Sequence, residues 1–189
     1  MGTGPNLTLL GLSPTSMSSS HTEAWLRGPV AGMPALLNPA AHALQHAADD
    51  VQRALEGLPT EVLWHRPGAA ASVGYHVRHL IGALDRLLTY ARRESLTPQQ
   101  LQSRAREADP GDPPADSATL LSELTVAIDR ALGQLRTIPE ASLLDARAVG
   151  RQRLPSTVLG LIFHAAEHSA RHAGQALTTA KILNLRIGG

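Results

Sequence analysis

Residues 156–183 read STVLGLIFHAAEHSARHAGQALTTAKIL, and this stretch decides the fold. It contains no proline. Val158, Leu161, Ala165, His168, His172, Ala176, Thr179 and Leu183 recur every three or four residues, the period of one helix face. The stripe predicts a long amphipathic helix from about Ser156 to Leu183. It also assigns two imidazoles, His168 and His172, to positions that should face a core.

Working outward, three more helical stripes precede this one. Asn38-Pro39 reads as a cap residue followed by proline at the first helical position. The stripe after it is Ala41, Leu44, Ala48, Val51 and Leu55, and Gly57 and Pro59 end it. A second helix runs from near Ser72 to about Arg93 on Leu80, Leu84, Leu87 and Ala91. A third runs from about Ser117 to Thr137 on Leu121, Leu124, Ile128, Leu132 and Leu135. Residues 95–116 are polar and proline-rich, with a short helix expected near Pro98 to Ala108. Leu143 to Leu154 is irregular, and Gly150 with alternating small and arginine residues would suit a short hairpin. Residues 1–21, rich in Gly, Ser, Thr and Pro, read as a flexible tail before a domain spanning 22–189, with Met17 an alternative start. Four amphipathic helices without a long strand predict an all-α four-helix bundle, with a longer irregular connection before the last helix.

Composition narrows the function. The chain has 189 residues and a net charge of +1, and Lys181 is its sole lysine. Five aromatics (Trp25, Trp64, Tyr75, Tyr90, Phe163) and no dense basic run argue against a nucleic-acid surface. The absence of cysteine excludes disulfides, thiolate metal sites and a cysteine nucleophile. No apolar run reaches the roughly 18 residues of a membrane span. The N-terminus lacks a secretory pattern, and Asn6 stands where a myristoylation motif places Ser or Thr. A cytoplasmic location is expected.

The nine histidines carry the chemistry. His168 and His172 are one turn apart on one face. Two buried neutral imidazoles need partners, and a divalent metal satisfies both at once. Hydrogen-bonded core histidines are the competing reading. His164 extends the row, but positions eight apart are separated by roughly 12 Å of helix rise. Ligand bonds of about 2.0–2.1 Å cannot span that distance. The pair is therefore His164 with His168, or His168 with His172. A third ligand must come from another helix; His76 and His79 are candidates, with Asp85 weaker. Three imidazoles leave one position for water or substrate, the pattern of a catalytic rather than a closed site. His42 and His46 lie about 200° from Leu44 on their helix and read as solvated. His21 and His65 read as loop residues.

Residues 164–168, HAAEH, match the H-x-x-E-H string of inverted zinc peptidases. Those enzymes take a further acidic ligand downstream, and no Asp or Glu follows Glu167 here. Glu167 should instead pair with Arg171, one turn later. Arg86 and Tyr90 share the face of His79, and Gly82 and Ala83 leave room between them. A guanidinium fork and a phenol beside an open metal would suit an anionic substrate. Alternatively, Arg86 pairs with an acid such as Asp129, and Tyr90 packs at the bundle end.

Ser72-Val-Gly-Tyr-His-Val-Arg-His79-Leu with Asp85-Arg86 resembles the second-helix motif of the DinB superfamily of metalloenzymes. His168-Ser-Ala-Arg-His172-Ala-Gly-Gln175 resembles its last-helix motif, and Trp25-Leu-Arg-Gly-Pro resembles an opening segment of some members. The resemblance spans about residues 22–183. It implies a four-helix bundle with up-down-down-up connections, often dimeric, and a divalent metal such as zinc or nickel on His79, His168 and His172. Ala173 replaces a common arginine, and His76 and His164 are extra. Some relatives transfer or isomerise with a small thiol such as mycothiol, bacillithiol or glutathione. The resemblance thus implies a metal-dependent S-transferase acting on a small molecule, with Arg86 or Tyr90 orienting substrate. A chain without cysteine must borrow its sulfur, and bound metal would favour the thiolate. A hydrolase on the same ligands, or a non-catalytic metal- or ligand-binding bundle, are the alternatives.

Overall fold

The computed structural model describes residues 22–187; the expected tail, with Met17 and His21, lies outside the described residues. Its helices are α1 (Asn38–Leu55), α2 (Thr60–Leu63), α3 (Val73–Ala91), α4 (Pro98–Ala105), α5 (Ser117–Arg136) and α6 (Val158–Ile187). The four long ones are those expected. Local chemistry sets their starts. The Ser72 hydroxyl accepts from the Tyr75 N–H at the head of α3, and the Asp116 carboxylate accepts from the Thr119 N–H at the head of α5. Thr97 and Gln100 form a reciprocal capping box on α4. Asn38 departs from the expected cap role. A 3-10 turn, Ala35–Leu37, runs directly into α1, so Asn38 is its first helical residue and its side chain accepts from the Val30 N–H instead.

Helices α1 and α3 each pack on both α5 and α6, so α1 and α3 lie on one diagonal and α5 and α6 on the other. Side-chain bonds fix the directions. Ser117 donates to the Leu58 carbonyl and Arg136 to the Ala31 carbonyl, so α5 runs antiparallel to α1. The Trp64 indole donates to the Ala115 carbonyl and the Gln134 amide to the Leu88 carbonyl, so α3 and α5 start together and end together. His76 meets His172 and His79 meets His168, so α6 runs antiparallel to α3. The order is up-down-down-up. Between the helices, Leu44, Val51, Val77, Leu80, Leu124 and Ile162 are among the buried side chains of one continuous core.

The irregular stretch before α6 contains the hairpin that Gly150 suggested. Strand β1 (Ala146–Val149) pairs antiparallel with β2 (Leu154–Thr157), in register from Ala146 opposite Thr157 to Val149 opposite Leu154. Gly150 turns with φ 69°. Arg147 donates to the Ala91 carbonyl, which pins the hairpin to the end of α3. Strand pairing through Thr157 delays the start of α6 to Val158. No helix among the described residues is long and apolar enough to cross a membrane.

Close approach near the head of α3 requires a glycine. A Cβ on Gly74 would lie 2.8 Å from three carbons of the Trp64 ring. That ring is held by its bond to Ala115 and is covered by the Arg78 guanidinium, 4.6 Å from the ring centroid. Gly74→Ala should therefore lower stability by about 1–3 kcal/mol through overpacking. Gly133→Ala, within α5 and with nothing within 4 Å of its would-be Cβ, should raise stability by about 0.4–1 kcal/mol. Urea melts of the two variants beside the wild type check the opposite signs.

Candidate metal centre

The antiparallel packing of α3 on α6 sets His79 against His168 and His172. Their ligand-capable atoms all lie within 4.8 Å of one another, and no fourth His, Asp or Glu joins them among the described residues. His79 Nε2 is 2.9 Å from His168 Nε2. The His79 and His172 ring centroids are 4.4 Å apart, and those of His168 and His172 are 4.5 Å apart. With metal–nitrogen bonds of about 2.0–2.1 Å, two ligands of one ion sit at about 3 Å or slightly more. The spacing therefore suits one divalent cation.

The electrostatics fit as well. Burial, reinforced by the neighbouring imidazoles, lowers the pKa of His168 and brings that of His172 down to about 3. Both rings are therefore neutral near pH 7 and retain a lone pair. His168 Nδ1, the nitrogen on the far side of the ring from the His79 contact, is buried without a hydrogen-bond partner.

His76, buried, is not part of the cluster. Its Nδ1 is 3.1 Å from His172 Nδ1, and burial together with the nearby His79 lowers its pKa. His164 is exposed, with Nδ1 3.5 Å from a Glu167 oxygen. Glu167 also accepts from Arg171, which sits one turn on as expected and holds its carboxyl below the usual range. Asp85 accepts from Gln100. His42 contacts the Gly28 carbonyl, His46 lies 3.7 Å from Asp50, and His65 is exposed in a loop.

Two residues next to the cluster were not singled out by their sequence pattern. Tyr75 stacks on His79, with centroids 5.5 Å apart and planes at 18°. Glu107, in the connection after α4, is buried; its Oε2 lies 2.7 Å from His79 Nδ1 and its Oε1 2.7 Å from Arg86 Nη1. Burial acts to raise the Glu107 pKa, but hydrogen bonds from His79 and Arg86, and their charges, outweigh it and leave the carboxyl below its usual range. Arg86 thus pairs with an acid, as one reading expected, but with Glu107 rather than Asp129. It reaches the cluster only through that carboxylate. Tyr90 lies eleven residues beyond His79, about 16 Å along the helix. The one signal for Glu107 was the lone cation on an inward face of α3, which called for an acid without locating it.

Beside His76 lies an open depression of about 600 Å³ bordered by Ala71, Arg171, Gly174, Gln175 and Thr178. An antiparallel helix pair bearing one imidazole on one helix and an H-x-x-x-H pair on the other could hold a metal ion in the core of a helix bundle. Residues 43–176, more than half of the chain, match the family model of the DinB superfamily, and the chain belongs to that superfamily. No curated protein matches it.

The lowered histidine pKa values predict acid sensitivity in the metal-free protein. Between the ordinary value of 6.5 and about 3 for His172, the unfolded chain holds more protons than the folded one. The stability these neutral rings permit is thus complete above about 6.5 and declines as pH falls through that window. Glu107 adds a further loss below its ordinary value of 4.5. Urea unfolding with chelator from pH 7.5 to 4.5 should show this decline, with a shallower slope for His172→Gln; equal slopes would contradict the assignment.

Proposed function

We propose that this chain is a metal-dependent enzyme that transfers a small external thiol to an electrophilic small molecule. The observation that carries the reading is the set of three imidazoles, from two helices, with no fourth protein ligand among the described residues. His79, His168 and His172 would hold zinc or nickel and leave a position for an incoming group. When bound, such a cation supplies the positive charge that favours the thiolate form of a thiol.

The remaining work falls to the chain's own residues. Lacking cysteine, the protein provides no sulfur nucleophile. The depression beside His76 offers the Arg171 guanidinium and the Gln175 amide, groups that suit the carboxylates and amides of a peptide-like thiol. Tyr75 covers one side of His79 and limits water there. Arg86 acts through Glu107 on the metal side of the site. The superfamily membership supports a metal-binding role; the thiol rests on the resemblance to thiol-using relatives, and the polar depression would suit such a ligand.

The test is a substrate screen with glutathione, bacillithiol or mycothiol against electrophilic acceptors, with zinc or nickel present. Product should form only with both thiol and metal, and His168→Ala should lower the rate at least ~100-fold, the scale of losing a group that stabilises charge in the transition state. Turnover of an ester or amide without any thiol would assign a hydrolase instead. Arg171→Ala should raise KM for the thiol more than it lowers kcat.

A further inference from the structure

Residues 95–116 make more than a tether between α3 and α5. Gln100 donates to Asp85 and to the Thr89 hydroxyl, and Arg78 donates to the Asp109 and Pro110 carbonyls. These bonds hold the turn after α4 against α3 and direct one side chain, Glu107, inward. We propose that Glu107 is a positioning residue of the metal centre: it fixes the His79 proton on Nδ1, which leaves the Nε2 lone pair facing His168 and available to a cation. The inference rests on the metal-site reading above.

A carboxylate only accepts hydrogen bonds, so the 2.7 Å contact to Oε2 requires His79 Nδ1 to donate. A neutral ring protonated there has its free lone pair on Nε2, the atom 2.9 Å from His168 Nε2. The other tautomer would point an N–H into the cluster. Carboxylates that orient metal-ligating histidines in this way raise ligand basicity as well as fixing the ring. The second carboxylate oxygen is taken by Arg86, itself buried, so Glu107 has no freedom to rotate away. Gly82 completes the clamp: a Cβ there would lie 2.7 Å from both Arg86 Nη1 and Glu107 Oε1. An ion pair that merely tied the connection down would need Arg86 alone. Here both oxygens are used, and one reaches the ligand.

Glutamine at 107 keeps the shape but offers one acceptor and one donor to two donors, so either His79 or Arg86 loses its partner. Glu107→Gln should weaken zinc binding, measured by chelator competition at pH 7.5, by about 10–100-fold. Nitrogen-15 NMR of the metal-free imidazoles should show His79 protonated on Nδ1 in the wild type and a shift toward Nε2 in the variant. Gly82→Ala leaves all charges and ligands in place and should lower zinc affinity and shift the His79 proton toward Nε2 by displacing the Arg86–Glu107 pair; it serves if Glu107→Gln fails to fold. Wild-type zinc affinity in both variants, with His79 still protonated on Nδ1, would overturn the role of Glu107 and leave the metal reading intact. No zinc binding by the wild type would overturn the metal reading itself.

Discussion

Antiparallel packing of α3 on α6 is the constraint from which the rest follows. It places three imidazoles where helix stripes ordinarily place leucine or alanine. The helices supply apolar neighbours, so burial lowers the pKa of His168 and drives that of His172 down to about 3. Neutral rings with inward lone pairs are poor core material and good ligands. The same burial that disfavours their protonation therefore prepares them for a cation.

Much of the surrounding structure keeps that helix pair in register. Trp64 fills the space over Gly74 and ties the head of α3 to the start of α5 through Ala115. Arg147 anchors the hairpin at the other end of α3, which sets where α6 begins. Glu107 and Arg86 fill the side of the cluster that faces the α4–α5 connection. Parallel α3 and α5 need a connection that returns along the bundle, residues 92–116, and the chain crosses the two diagonals between α1 and α3 and between α5 and α6. The short α2 and the hairpin lie in those two crossings.

The four long helices were legible because their apolar stripes are strong, and two of them, α3 and α5, begin at side-chain caps, Ser72 and Asp116. The start of α1 was misjudged, since a preceding 3-10 turn removes the need for a cap and frees Asn38 for Val30. In the site, spacing within α6 limited the choice to two histidine pairs. Periodicity could not choose between them, because His164 lies only slightly off the inward line. The resemblance chose His168 with His172, and the packing brings those two to His79 while His164 stays exposed. Glu107 was illegible for a different reason. It sits in a turn without periodicity, and its burial depends on how a polar connection folds back over α3, a tertiary contact that local pattern does not encode.

The central claim is that His79, His168 and His172 together hold one divalent cation. X-ray absorption at the zinc edge, on protein loaded with one equivalent of zinc, tests it most directly. The account predicts three imidazole nitrogens at about 2.0–2.1 Å with a non-protein ligand such as water completing the shell, and fewer imidazoles in His168→Ala. Zinc surrounded by oxygen alone, or a spectrum unchanged in His168→Ala, would contradict it.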